Sequence, residues 1–119
     1  MITFKSSSDL SKLPPDNPAY PLIKELVDSL IVAYTTPERP YLPDDYGWIV
    51  LIEEQDVDAV LEDMDCKLTE LLWEGAAMRG NFYLAIYLAN DDFGISYVIP
   101  DAPWVKGKLR KLLDEMVEY

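Results

Sequence analysis

Hydrophobic residues recur at three- and four-residue intervals over positions 20–35, which predicts an amphipathic first helix. Pro21 suits the first turn of that helix because its missing N–H has no partner there in any case, and Pro37 ends the helix. The preceding segment, 1–19, combines a serine run with repeated prolines and is typical of a partly ordered N-terminal arm. Residues 37–46 are rich in proline and aromatic side chains, which predicts a stiff, non-helical connector.

Beyond the connector the pattern changes to the two-residue period of β-strands. Residues 47–52 are apolar on both alternating faces, which predicts a strand covered on both sides and therefore central in its sheet. Residues 82–89 place large apolar side chains on one face and tyrosine with alanine on the other. Turn-forming residues at 90–94 then lead into a partner strand at 95–99.

Two further helices and one ambiguous segment complete the chain. Residues 56–63 predict a short helix, and residues 103–117 predict the last helix, with Pro103 in its first turn. The stretch 67–78 fits either a continued helix or a strand that turns through 79–81 into the next strand. We favour the strand, because a Gly-Asn turn is typical of a hairpin.

These elements predict an α+β fold. The sheet is expected to be mostly antiparallel, with about four strands in the order strand, short helix and three-strand meander. An N-terminal and a C-terminal helix pack on it. A chain of 119 residues accommodates one domain, so we expect a single domain over 1–119.

Charge and residue usage exclude several classes of chemistry. The chain has 22 acidic and 10 basic residues, a net charge of −12, which disfavours direct binding to nucleic acid and to anionic membranes. It has no histidine, one cysteine and five glycines that form no nucleotide-binding fingerprint. Histidine-based catalysis, cysteine metal clusters and phosphate-cradling loops are therefore excluded, and we expect no cofactor, no metal and no enzymatic activity.

The same features suggest a compartment. No run of about 18 apolar residues is present, and the first residues carry no apolar signal segment. A lone free cysteine without a signal segment favours the cytoplasm.

This cysteine, Cys66, is expected to be a poor nucleophile, because neighbouring carboxylates raise the pKa of a thiol.

An acidic stretch is the most conspicuous candidate site. Within residues 53–65 it contains seven carboxylates and no basic residue: Glu53, Glu54, Asp56, Asp58, Glu62, Asp63 and Asp65. Such a stretch is typical of a metal site, of a mimic of DNA phosphates, or of a docking patch for a basic protein; the calcium-loop spacing of EF-hands is absent. The plainest interpretation is a solvated surface that keeps the protein in solution.

A basic cluster lies in the last predicted helix and consists of Lys106, Lys108, Arg110 and Lys111. These cations precede Asp114 and Glu115, an order that opposes the helix dipole. Ion pairs along the helix, from Lys111 and Arg110 to those two acids, are one explanation. The other is contact with an acidic surface, such as the acidic stretch of a second copy, which favours a homodimer.

Aromatic residues supply the remaining candidates. Tyr83 and Tyr87 share a strand face with alanines, and Tyr97 is expected opposite them. Small residues beside tyrosines form a shallow groove for a ligand, but more often a helix or a second subunit covers such a face. Tyr41, Tyr46 and Trp48 are candidate apolar anchors next to the acidic stretch.

Together these patterns predict a non-catalytic, cytoplasmic, acidic protein that acts by binding a protein with a basic surface. Inhibitors and immunity-type accessory proteins have this character. The alternatives are a small-ligand-binding module that uses the tyrosine-bearing sheet face, and a structural homodimer.

Overall fold

The computed structural model describes residues 1–31, 37–38, 49–69, 73–87 and 95–117. Its fold is α+β, with three α-helices and five strands in the described residues. The helices are α1 (Tyr20–Leu26, continued by a π-helical turn, Val27–Ile31), α2 (Val57–Thr69) and α3 (Gly107–Met116). The strands are β1 (Ile2–Phe4), β2 (Ile49–Leu51), β3 (Trp73–Arg79), β4 (Phe82–Tyr87) and β5 (Ile95–Pro100).

The five strands form one mixed sheet in the order β1-β2-β5-β4-β3. Three of the pairings are antiparallel, but β2 and β5 run parallel, with Val50 opposite Tyr97. The prediction of about four, mostly antiparallel strands is therefore right in class and wrong in two details. It missed β1, and it missed the parallel pair.

The interior of the sheet follows the predicted pattern. Strand β2 lies between two neighbours, and all three of its side chains are buried, which confirms the prediction of a strand covered on both faces. The three-strand meander is confirmed as well. Strands β3 and β4 form the predicted hairpin around Gly80, whose φ of 59° is a conformation that glycine adopts without strain.

Helices cover both faces of the sheet. On one face α1 contributes Ile23, Leu26 and Val27 to a cluster with Phe4 and Leu51. On the other face, α2 and α3 bury one cluster of side chains against the sheet: Val60, Met64, Leu109, Leu113, Tyr83, Ala85 and Tyr97. These two apolar clusters form the core, and exposed polar residues lie at the edges of the sheet.

The segment expected to be an arm, residues 1–19, contributes to the first of these clusters. Ile2–Phe4 pairs with β2, and a 3₁₀ segment, Ser7–Lys12, follows. Phe4 and Leu13 are buried in the cluster beneath α1. The Asp9 carboxylate accepts backbone N–H bonds from Lys5 at 2.7 Å and from Ser6 at 3.1 Å, which secures the start of the 3₁₀ segment.

Several element bounds differ from the prediction. Helix α2 extends beyond 56–63, because Met64 continues its buried face. Both interpretations of 67–78 apply in part, since helix continues to Thr69 and strand begins at Trp73. Helix α3 begins later than predicted.

The late start of α3 has a local cause. Pro103 lies in a turn closed by the Val105 N–H donating to the carbonyl of Ala102 at 2.9 Å. Lys106 is extended and Gly107 has a φ of 62°, so a helix started at 103 cannot continue through them. Residues 32–36, 39–48, 70–72 and 88–94, which include most of the predicted connector 37–46, lie outside the described part of the chain.

Candidate functional site

The acidic stretch divides into free and engaged carboxylates. Glu54, Asp58 and Glu62 are exposed on the 3₁₀ turn Glu54–Asp56 and on α2, and none forms an ion pair with another described residue. Asp58 and Glu62 are four residues apart, so their side chains lie on the same side of the helix, one turn from each other. We call these three residues the free carboxylate row.

Near the start of β1, two carboxylates of the stretch bind a cation of the protein itself. An Asp56 oxygen lies 2.7 Å from the α-ammonium nitrogen of Met1, and a Glu53 oxygen lies 3.9 Å from that nitrogen. Asp56 also accepts the Glu53 backbone N–H at 3.0 Å. Partial burial acts to raise the pKa of Asp56, but these two partners outweigh burial and hold that pKa below its ordinary value.

The last two carboxylates connect α2 to other elements. Asp63 accepts the hydroxyl of Tyr97 on β5, with an O···O distance of 2.8 Å. Asp65 forms an ion pair with Lys108 on α3. Four of the seven predicted site residues are therefore bound within the protein, and the structure does not bring all seven together as one open surface.

The basic cluster divides in the same way. Lys108 pairs with Asp65, whereas Lys106 and Lys111 are exposed and pair with no other described residue. Arg110 forms an ion pair with Asp101, beyond the end of β5. The cations engaged in the structure therefore reach residues outside their own helix.

Arg110 also takes part in a small polar network over the sheet. Its Nε donates to the Val105 carbonyl at 2.7 Å, and its Nη1 donates to the Tyr83 hydroxyl at 3.1 Å. The Tyr83 hydroxyl in turn donates to Asp114 at 2.8 Å. Burial, followed by the bond to Asp114, raises the pKa of Tyr83 to about 12.

The tyrosine-bearing face is covered by the chain's own helices. Tyr83 is 3% exposed, Tyr97 7% and Ala85 fully buried, all packed with α2 and α3. Burial, together with the bond to Asp63, raises the pKa of Tyr97 well above its ordinary value. The side chain of Tyr87 lies outside the described part of the chain, as do the candidate anchors Tyr41, Tyr46 and Trp48.

A cavity of about 400 Å³ opens at one rim of the sheet, where the parallel strands β2 and β5 have their carboxyl ends. Its lining combines apolar and polar surface, and the apolar part includes Leu51, Phe82 and Trp104. Glu53 and Glu54 belong to the lining too. The sequence pattern singled out these carboxylates but missed Phe82 and Trp104 as site residues; a tryptophan just after the end of a strand was the available signal.

Neither a metal site nor a membrane-spanning helix is found in the part of the chain that the structure describes. Among the residues described, no group of three or more cysteine, aspartate or glutamate side chains is placed to hold a metal ion. No helix in the described ranges is long and apolar enough to cross a membrane. Comparisons with protein-family models, with curated proteins and with solved structures yield no match to this chain.

Proposed function

We propose that this chain is a non-catalytic, cytoplasmic protein that acts by binding a protein with a basic surface, as an inhibitor or immunity-type accessory protein does. The contact is the free carboxylate row. The observation that supports this is the division of the acidic stretch: four carboxylates have partners inside the protein, while Glu54, Asp58 and Glu62 have no cation among the described residues.

The energetics of the row favour an external cation. Like charges one helical turn apart, such as Asp58 and Glu62, destabilise a helix by about 0.2–0.5 kcal/mol, which a bound lysine or arginine reverses. The net charge of −12 steers basic proteins toward this surface and raises the association rate. Both effects weaken as salt screens the charges.

Recovery of partners from native cell extract tests the proposal. The test variant replaces the row by neutral isosteres, Glu54→Gln, Asp58→Asn and Glu62→Gln. The matched control makes the same charge change at Asp16, Glu38 and Glu115, which are also exposed and form no ion pair with another described residue.

We expect the row variant alone to lose a partner that the wild type and the control recover. We also expect high salt to release that partner from the wild type. Circular dichroism confirms that both variants are folded. Equal recovery by the row variant and the control rejects the free carboxylate row as the contact.

A further inference from the structure

The cavity at the rim of the sheet has the size and lining of a small-ligand site. Its volume of about 400 Å³ falls within the range of roughly 300–1,000 Å³ typical of such sites. It lies at the carboxyl ends of the parallel pair β2 and β5, where Leu51 and Pro100 belong to the lining. Of its apolar lining, Leu51 and Ile52 are buried, so these walls are set by the core.

The charged groups of the lining are all acidic. Glu53 and Glu54 line the cavity, and no lysine or arginine does so among the described residues. The Met1 ammonium group approaches Glu53 and binds Asp56, so an alkylammonium group already sits against carboxylates at this edge. Glu54 is exposed and forms no ion pair with a described residue, so its carboxylate is accessible to a cation from outside the chain.

Asn17 and Trp104 also belong to the lining of the cavity. The side-chain carbonyl of Asn17 accepts the Ala19 backbone N–H at 2.8 Å, which fixes that side chain in the cavity wall. Trp104 is half-buried and also lines the cavity, and aromatic rings attract cations. An anion would meet the exposed Glu54 carboxylate here, and a neutral apolar molecule would remove solvation from that carboxylate without compensation.

We propose that this cavity binds a small organic cation, an ammonium or amidinium group on an aromatic or aliphatic body. The charged group pairs with Glu54 at the mouth, and the apolar body packs on Leu51, Phe82 and Trp104. The proposal does not rest on partner binding by the free carboxylate row, but the two sites share Glu54, so the amine and the partner should compete for that residue. It also places a ligand at the sheet rim and not on the tyrosine-bearing face.

Three probes of one shape and different charge test it: phenethylamine, the neutral 2-phenylethanol and the anionic phenylacetate. Each is titrated into the ¹⁵N-labelled full chain and followed by NMR. We expect the amine to shift the amides of 51–55 and the indole N–H of Trp104 in a saturable way. Its dissociation constant should be about 1 mM, typical of so small a ligand, and the other two probes should bind at least about tenfold more weakly.

Variants locate the binding. Trp104→Ala and Glu54→Gln should each weaken amine binding by about fivefold to tenfold. The matched control Glu115→Gln, exposed on α3, should leave it unchanged. Because Glu54 is exposed, Glu54→Gln keeps the test valid even if Trp104→Ala lowers stability.

The proposal is overturned if no amide shifts up to about 10 mM amine, if the shifts lie away from the cavity, or if the neutral probe binds as tightly as the amine. Its failure is distinguishable from failure of the proposed function. Asp58→Asn with Glu62→Gln should abolish partner recovery and leave amine binding intact. Trp104→Ala should weaken amine binding and leave partner recovery intact.

Discussion

Replacing Tyr97 by phenylalanine probes the contact that joins α2 to the middle of the sheet. The Tyr97 ring is buried beneath α2, with its centroid 5.7 Å from that of the Trp73 ring. Its hydroxyl donates to Asp63 at an O···O distance of 2.8 Å. Phenylalanine keeps the ring and removes only the donor, so the change isolates one hydrogen bond to a carboxylate.

The size of the effect follows from the exposure of the two partners. A hydrogen bond to a charged group contributes about 1.5–3 kcal/mol. Asp63 is partly exposed, so water can donate to its carboxylate in place of the lost hydroxyl, and the loss of stability lies at the low end of this range. We therefore expect Tyr97→Phe to lower the free energy of unfolding by about 1.5 kcal/mol and the melting temperature by roughly 6 °C.

Tyr83→Phe is the matched control. It removes a tyrosine hydroxyl from the neighbouring strand, which donates to Asp114 and accepts from Arg110. Asp114 is exposed, so water can replace the lost donor, and Arg110 keeps its contacts to Val105 and Asp101. We expect a loss of about 0.5–1 kcal/mol there. Urea denaturation at pH 7 measures both variants.

A double-mutant cycle with Asp63→Ala, which removes the acceptor, then measures the Tyr97–Asp63 coupling, which should be at least about 1 kcal/mol. A coupling near zero, or a larger loss for Tyr83→Phe than for Tyr97→Phe, refutes the reasoning. Either result would mean that packing of the ring, and not the hydroxyl, joins α2 to the sheet.

Three further outcomes follow from local geometry. The pKa values of Tyr83 and Tyr97 are raised in the folded state, so the stability that the two residues contribute is complete below pH 10. This stability is lost as pH rises toward their folded pKa values, by about 1.4 kcal/mol per pH unit for each tyrosine. Urea denaturation between pH 9 and about 12 measures this slope, and a Tyr97→Phe variant that keeps the full slope contradicts it. Burial acts to raise the pKa of Asp9, but backbone N–H donors and Lys12 lower this pKa overall. The contribution of Asp9 to folding stability is therefore present above the ordinary carboxyl pKa and is lost as pH falls through the lowered value. Asp9→Ala should therefore cost about 1 kcal/mol in thermal denaturation at pH 7 and much less near pH 2, and equal costs at both pH values contradict this. Gly80 has open space where a Cβ would lie, so Gly80→Ala should cost only the left-handed backbone strain of about 1 kcal/mol, and Gly80→Asn less; equal losses for both would mean that the turn changes conformation.

The faces of the strands were predictable because side-chain direction alternates strictly along a strand. Residues Tyr83 and Ala85 share one cluster and Leu84 the other, as the two-residue period requires. The parallel partnership of β2 and β5 had a signal that the prediction did not use, because a strand that is apolar on both faces is typical of parallel sheets. Strand β1 has three residues, too few to display any period.

The acidic stretch shows a different limit of sequence reasoning. Its composition was evident, but the division into free and engaged carboxylates depends on donors distant in the chain. Tyr97 lies 34 residues from Asp63, and Lys108 lies 43 residues from Asp65. Only the folded chain brings these donors to α2, so no local pattern distinguishes Asp63 from Glu62.

The homodimer stays a prediction, and the division of the basic cluster sharpens its test. Lys108 and Arg110 have carboxylate partners within the chain, so a second copy has Lys106 and Lys111 to offer the free carboxylate row. Such a dimer is held by exposed charges on chains that each carry −12, and its attraction must outweigh that repulsion. Sedimentation at low salt should show association that weakens as salt is raised, because the Debye length falls from about 30 Å at 0.01 M to about 8 Å at 0.15 M. Lys106→Glu with Lys111→Glu should abolish the association. A monomer at low salt, or association that strengthens with salt, shows that these charges do not join two copies.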